Sequence, residues 1–558
     1  MSSIKNSKTL FCFTSPRTVE KIVPEIKLLT DNFTGQKWVG NPSLHEKFFI
    51  ELTKSDFYES TSDTEDKAFA GRDRITRAPK SYGFVDLEPT VKLTEAGKLL
   101  ISSKRPEEVF LKQMLKFQLP SYYHTNNENF NVKPYLELIR LIHFLKGISK
   151  TELALFFLQM IHYDKFEDIV NKIRNFRDNA KNYNGSRKTY VDECFNAEII
   201  TIFNDEIVSK KFKTRQSNDV NFKKFIKTKK ATLKDYADAY MRHLRATGLI
   251  AFEKKTLRLI IKSSKEKDVE HILNTIPKEV SIFKNIKDFK NYLFSTDNIE
   301  LLSDNRDELI LKLKKYDIHI DFNSLSIENL KDELDIKEKQ LFEENLLNVQ
   351  RELKTYKDYD DIIDIFAKIK SKDVPDAPLF LEWNVWRALV MINYSKRVDG
   401  NFIMDLDGAP VSTAGGNKPD IEAEYEDFGL ITEVTMSNGQ TQFKMEGDSV
   451  PRHFGKFKKE LNKDAYCFFI APIISEGTLA FYYSLNKSAP IFYGGQTKII
   501  PLTIEQFIKF IESAKNNNFN NSDKLKNWLT KIWEFNQTCE DEVIWSDFIS
   551  KNIDNWAA

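Results

Sequence analysis

The sequence predicts a multidomain α/β protein, and three features carry that expectation. Ala465–Pro472 is a near-continuous apolar run and Lys498–Leu502 another, followed by a helix containing Phe507, the pattern of strands buried on both faces in an α/β layer. The first 300 residues hold short helical runs that feed small hairpins, an arrangement suggesting winged-helix-like subdomains. Between them, residues 301–374 are rich in Lys, Glu, Asp and Leu and poor in Gly and Pro, as a helical linker would be. The expected divisions are 1–130, 131–300, 301–374 and 375–558, within the roughly three or four domains that 558 residues can form.

In the first division, Ser15-Pro16-Arg17 precedes an amphipathic run with Ile22, Ile26 and Leu29, a helix expected to begin near Pro16. Residues 71–80 concentrate Arg72, Arg74, Arg77 and Lys80 in a charge-rich turn before a strand-like Tyr82–Asp86, and Val91–Leu100 supplies another short helix. Such a module suits DNA reading, with arginine forks meeting guanine edges and lysines such as Lys80 and Lys98 positioning the phosphate backbone. A solvated surface is the competing account of the same charges.

The second division opens with an apolar helix over Leu136–Leu145 and another from Thr151. Residues 210–230 form a basic tract, suited to nonspecific, salt-sensitive attraction of phosphate. A helix over Lys234–Thr247 then ends at Gly248, and Leu249–Phe252 with Leu257–Ile261 suggests a second wing. Arg242 and Arg245 are candidate DNA contacts here, with Tyr240 equally suited to the core. In the third division, stretches such as Lys337–Leu353 are polar on most faces and suit a spacer; their apolar repeat is too irregular for a coiled coil.

Composition constrains the partners. The net charge is +1, from 83 basic and 82 acidic residues, so bulk charge gives no argument for nucleic acid and any binding must use local patches. The four cysteines, Cys12, Cys194, Cys467 and Cys539, show no zinc spacing and fit ordinary thiols in a reducing cytoplasm. The N-terminus carries no apolar signal core, and no run approaches 18 apolar residues, so neither secretion nor a membrane is expected.

The chemistry concentrates between Pro419 and Glu446. Two strand-like pieces flank Glu426-Asp427, and if Tyr425 pairs with Phe428, the register sets Asp420 opposite Glu433 with β carbons about 5 Å apart. Two carboxylates so placed can share a hard divalent cation such as Mg²⁺, as in metal-assisted phosphodiester hydrolysis; a merely solvated acidic face remains the alternative. Thr435 stands two residues after Glu433, where many nucleases carry a lysine. Gly415-Gly416 lacks the context of a dinucleotide fingerprint and is expected to turn the chain tightly beside the site.

This segment resembles the cleavage domain of the AlwI-type family of type IIS restriction and nicking endonucleases, a PD-(D/E)XK variant in which Glu-Val-Thr replaces Glu-X-Lys. The resemblance rests on Pro419-Asp420, Glu433-Val434-Thr435, Phe380-Leu381-Glu382-Trp383-Asn384, Gln442-Phe443-Lys444-Met445-Glu446 and Arg452-His453. It implies Glu382, Asp420, Glu433 and Glu446 as the acidic active-site group, with Asp420, Glu433 and Glu446 holding Mg²⁺. Lys444 could serve as a transition-state cation or be a surface residue, and His453 could orient water or phosphate or be a packing residue. The N-terminal region is similar to the recognition domain of the same family in the Ser15-Pro16-Arg17, Arg72-Asp73-Arg74 and Arg105–Gln113 runs, which implies Arg17, Arg72, Arg74 and Arg77 as DNA contacts.

The resemblance spans nearly the whole chain and favours members reading GAGTC over a branch reading GGATC. The expected function is therefore cleavage of double-stranded DNA at a fixed offset from a short asymmetric site. Strand-specific nicking, or service as the large subunit of a heterodimeric restriction enzyme, is the alternative, and a noncatalytic DNA-binding protein stands behind both. Cutting both strands would call for a transient homodimer or a small catalytic partner subunit.

Overall fold

The computed structural model describes residues 2–16, 19–55, 57–58, 64–125, 128–214, 220–254, 256–392, 394–405, 408–414, 418–461 and 463–558. The chain packs as two compact units, Met1–Leu334 and Asp335–Ala558. The segment expected as a linker contributes to both, and the long helix Ile327–Leu353 runs through the boundary.

The N-terminal unit is mainly helical. Helix Ile22–Phe33 buries Ile22, Ile26, Leu29 and Phe33, beginning several residues later than Pro16. Residues 71–80, expected as a charge-rich turn, are mostly helical instead, lying in helix Lys67–Thr76 and the short helix Ala78–Ser81. Asp66 caps the first of these by accepting the Phe69 N–H at 2.8 Å, and its buried face consists of Gly71 and Ile75. That face lies on helix Pro42–Thr53, where a side chain at position 71 would collide with the His45 carbonyl. The strands Val85–Asp86 and Lys92–Leu93 pair antiparallel and lead into helix Glu95–Ser102, capped by Thr94.

Farther on, helix Pro134–Leu145 is buried along most of its length. Helix Phe222–Arg245 begins earlier than Lys234, because Asn221 caps it and the lysine run is itself a good helix former with Phe225 on the buried side. Gly248, at φ +71°, turns the chain into the antiparallel pair Ile250–Phe252 and Leu259–Ile261. A polar cluster sits inside this unit. The Tyr82 hydroxyl lies 2.5 Å from that of Tyr135, and the two lie 2.6 and 2.9 Å from His243 Nδ1. Residues 301–334 also pack here, through Leu309, Leu313, Leu330 and Leu334.

The C-terminal unit is built on a five-stranded mixed sheet. In spatial order its strands are Ile499–Thr503, Asp464–Ala471, Phe428–Val434, Ile421–Glu424 and Arg397–Gly400. The last three are antiparallel neighbours, while Phe428–Val434, Asp464–Ala471 and Ile499–Thr503 run parallel. Each parallel step is crossed by a helix, Gly439–Leu461 and then Glu476–Asn486, as parallel pairing requires. The expected register of the hairpin is the one observed: Ile421 faces Thr432, Ala423 faces Leu430, and the Tyr425 N–H donates to Phe428 O at 2.9 Å. The rings of Tyr425 and Phe428 stack at 4.4 Å across the turn.

One face of this sheet packs Ile431, Cys467 and Phe469 against Val450, Phe454 and Phe457 of helix Gly439–Leu461. Gly429 permits the approach, since a side chain there would meet Phe457 and Leu461. Phe468 on the other face packs against Phe510 and Trp528 from helices Ile504–Asn516 and Ser522–Thr538. Helix Tyr359–Lys370 buries Ile362, Ile365, Phe366 and Ile369 beside helix Ala377–Ile392, so this part of the linker stretch has an apolar side.

Candidate active site

Four elements bring the acids together. Helix Ala377–Ile392 carries Glu382 and packs against strands Arg397–Gly400 and Phe428–Val434. Neighbouring residues of the helix fix that docking: Trp383 donates to Gly408 O at 3.0 Å, Trp386 to Val398 O at 3.1 Å, and Asn384 to Ile362 O at 2.9 Å. Asp420 ends the loop before strand Ile421–Glu424, and the observed register sets it opposite Glu433 near the end of strand Phe428–Val434. Glu446 lies on helix Gly439–Leu461, whose start is pinned by buried Gln442; that side chain donates to Ser437 O and Ile473 O and accepts the Ser475 N–H at 2.8 Å.

Each of three acids has a hydrogen-bond partner. The Val434 N–H donates to Asp420 Oδ2 at 2.8 Å, and the Ala414 N–H donates to Glu382 Oε2 at 2.9 Å. Glu433 Oε1 lies 2.8 Å from His453 Nδ1, and both side chains are buried. Glu446 is half-buried, with Tyr482 donating to its backbone carbonyl at 3.2 Å.

The electrostatics join them into one group. Burial pushes the Glu382 carboxyl well above its ordinary range, and Asp420 and then Asp376 add to the shift against the Ala414 N–H. Burial, then Glu433 and Glu446, push Asp420 up in the same way. Glu433 is raised by burial, by Glu446 and by Glu382, with the Asp420 N–H and Arg452 acting against. Three buried carboxyls that resist ionising, beside the Glu446 carboxylate, are the setting in which a hard divalent cation restores the charged forms. The donor set, all carboxylate oxygen, fits such an ion. Among the described residues, no three His, Cys, Asp or Glu side chains are set to hold a metal as they stand.

Thr435 is buried, donates its N–H to Ile470 O at 3.0 Å and accepts the Ser437 N–H on its hydroxyl at 3.1 Å. It therefore closes the strand end, and Lys444 is exposed on the following helix. The Gly415-Gly416 pair lies outside the described residues. Asp376, buried just before helix Ala377–Ile392, was not singled out from sequence; only its closeness to Glu382 in space reveals it.

The basic candidates divide. Arg72 is exposed, with its guanidinium over the Phe69 ring at 4.9 Å. Arg77 pairs with Asp73 at 2.6 Å and is half-exposed. Arg74 is bound inside the unit by fully buried Glu25 and covers the Tyr58 ring. Lys80 is buried, paired with Glu88 at 3.0 Å and lying over Tyr123. Arg242 pairs with Asp238 at 2.9 Å, and Arg245 is buried above the Phe252 ring. Tyr240 is core, its hydroxyl donating to Phe11 O at 2.8 Å. Arg17 lies outside the described residues.

The C-terminal unit is thus an α/β unit, a helix-crossed mixed sheet with an acidic group at one end of its β-hairpin. The chain belongs to the AlwI restriction endonuclease family, whose model matches residues 81–510, and it is thereby a DNA endonuclease. No curated protein matches it. Several solved structures resemble parts of it, two endonuclease chains among them. The small subunit of the heterodimeric restriction endonuclease R.BspD6I is 29% identical, over 35% of this chain and 99% of that one, with a TM-score of 0.31. The binding domain of the BpuJ1 endonuclease, in a complex with pyrene- and phenanthrene-modified DNA, is 12% identical over 51% and 93%, with a TM-score of 0.31.

Proposed function

We propose that the protein is a type IIS endonuclease of the PD-(D/E)XK type that binds a short asymmetric DNA site, GAGTC, and hydrolyses phosphodiester bonds at a fixed offset outside it. The observation that carries this reading is the hairpin register, which sets Asp420 opposite Glu433 and joins both electrostatically to Glu382 and Glu446. Asp420, Glu433 and Glu446 would hold Mg²⁺, with Glu382 completing the acidic group. When bound there, the ion supplies Lewis-acid polarisation of the phosphate and a lowered pKa for the attacking water. The chain's own contribution is to orient the donors: Val434 holds Asp420, Ala414 holds Glu382, and His453 holds Glu433.

Recognition falls to residues 1–130 and 131–300 as winged-helix-like subdomains, with 301–374 as helical linker and 375–558 as nuclease domain. The two small hairpins with their adjoining helices support that assignment. Of the proposed DNA contacts, exposed Arg72 and half-exposed Arg77 are the better supported, while Arg74, Lys80, Arg242 and Arg245 all have partners within the unit. Four free cysteines, three of them buried, suit a cytoplasmic setting.

An acidic group of this kind addresses one phosphodiester at a time. Cutting both strands then requires a second visit, a transient homodimer or a small catalytic partner subunit, and strand-specific nicking is the second reading. Mapping both strands' ends on a supercoiled plasmid cut in Mg²⁺ separates them. Paired ends at one distance from an asymmetric site support the type IIS reading; ends on a single strand support nicking; cuts scattered without reference to a site overturn both.

A further inference from the structure

The basic tract of residues 210–230 divides in the structure. Lys229 lies over the Phe203 ring at 4.1 Å and over Phe225 at 5.3 Å, and Lys230 pairs with Asp192, so these two belong to the fold. Lys211, Lys213, Lys223 and Lys227 are exposed, and among the described residues none of the four forms an ion pair. An aromatic knot sets them beside one another. Phe212 packs against Phe222 at 6.0 Å and Phe225 at 5.8 Å between ring centroids, and Phe225 in turn meets Phe203 at 5.9 Å. The knot holds the short segment around Phe212 on the first turns of helix Phe222–Arg245. Lys211 and Lys213 flank half-buried Phe212 and remain in solvent, while Lys223 and Lys227 stand one turn apart on one face of the helix. The Lys211 N–H donates to Glu206 O at 2.8 Å, which ties the start of the segment to helix Asn204–Val208.

The acids of the adjoining helices are already answered. Asp205 and Glu206 both accept from Lys8, at 2.8 and 2.9 Å, and Asp192 takes Lys230. The four lysines therefore form a local surplus of positive charge in a chain whose net charge is only +1. Their ammonium groups are mobile point charges that suit phosphate oxygens, and they lack the planar fork with which arginine meets a guanine edge. A face built in this way recognises the charge of a nucleic-acid backbone and not its sequence.

We propose that Lys211, Lys213, Lys223 and Lys227 form a phosphate-contacting face that binds duplex DNA without regard to sequence and supplies the affinity with which the protein engages DNA outside its site. The face lies wholly within the N-terminal unit. The inference rests on the reading of the chain as a site-specific DNA endonuclease. It adds to the proposed base-reading arginines a separate set of contacts whose energy comes from counterion release.

The test titrates the full-length protein in EDTA against two labelled duplexes, one carrying GAGTC and one unrelated, from about 50 to about 200 mM salt. Wild type is compared with the double variants Lys211→Gln, Lys213→Gln and Lys223→Gln, Lys227→Gln and with all four changes combined; either pair reads the face if the combination does not fold. Expected is a fall in the slope of log affinity against log salt of about 0.9 for each lysine removed. The fall should be equal on the two duplexes, leaving the ratio of their affinities unchanged. Slopes that stay at the wild-type value in the folded variants overturn the proposal, as does a loss confined to the GAGTC duplex. A wild type that prefers neither duplex instead overturns the GAGTC reading, while the slopes on either duplex still decide the face.

Discussion

The carboxylate of Asp420 accepts the backbone N–H of Val434, the residue directly after Glu433, at 2.8 Å. The bond ties the loop that ends at Asp420 to the neighbouring strand and holds two acids together that repel each other. Their raised carboxyl pKa values mean that the metal-free protein keeps protons on the group or tolerates repulsion within it.

Magnesium should therefore stabilise the fold. At about a hundred times its dissociation constant, a ligand that binds only the native state adds about 2.7 kcal/mol. Thermal melts with Mg²⁺ and with EDTA should differ for the wild type and coincide for Glu433→Gln. Equal Mg²⁺ shifts in both would remove Glu433 from the ion's ligand set.

On the proposed reading His453 is a positioning residue, acting on Glu433 through the 2.8 Å contact. Replacement of such an orienting partner typically costs on the order of 10–100-fold in activity or metal affinity. His453→Ala should lower kcat or raise the Mg²⁺ requirement by this factor with site binding in EDTA unchanged, and His453→Asn should recover part of the loss. Wild-type rates in His453→Ala would assign the histidine to packing alone.

Arg72 and Arg74, two positions apart on one helix, should separate function from folding. Glu25 is fully buried beneath Arg74, so Arg74→Ala leaves a buried acid unpaired, at a cost of about 3–5 kcal/mol. Arg72→Ala, at an exposed position, should change stability by no more than about 0.5 kcal/mol while weakening DNA binding. Urea unfolding beside a gel-shift titration checks the pair; an Arg72→Ala protein that binds as tightly as wild type excludes that side chain from the interface.

Burial lowers the pKa of His243 from 6.5 to about 3 and of His124 from 6.5 to about 4. Both are neutral in the native state and take up protons on unfolding, so their contribution is intact above pH 6.5 and declines as pH falls towards 4. Each should cost about 1.4 kcal/mol per pH unit within that window. Because the raised carboxyls of the acidic group release protons on unfolding over the same range, the histidine contribution is read as the difference between wild type and His124→Gln denatured at pH values from 7 to 5; the same pH dependence in both would contradict it.

The local elements of the C-terminal unit were legible because hydrogen bonding and apolar pattern agree. Pairing Tyr425 with Phe428 gave the hairpin register, and the Ala465–Pro472 run marked the strand buried on both faces. The basic stretch around Arg72 and Arg74 was misread as a turn, since only Gly71 and Ile75 face inward and the Asp66 cap stands outside the segment. Relationships distant in sequence left no pattern to read. Arg74 finds Glu25 across 49 positions, and Glu382 comes under the influence of Asp420 and Asp376 only through helix packing. His453 was visible as a motif residue, but its attachment to Glu433 came from the fold.

The most direct test of the cleavage centre is Asp420→Asn assayed for Mg²⁺-dependent cleavage of plasmid DNA and, in parallel, for binding to the same site. Lost cleavage with site-specific binding and the folded state retained is the predicted result. Cleavage at wild-type rates would contradict the account, as would equal loss of cleavage and binding in a folded protein, which would make the acids a structural cluster.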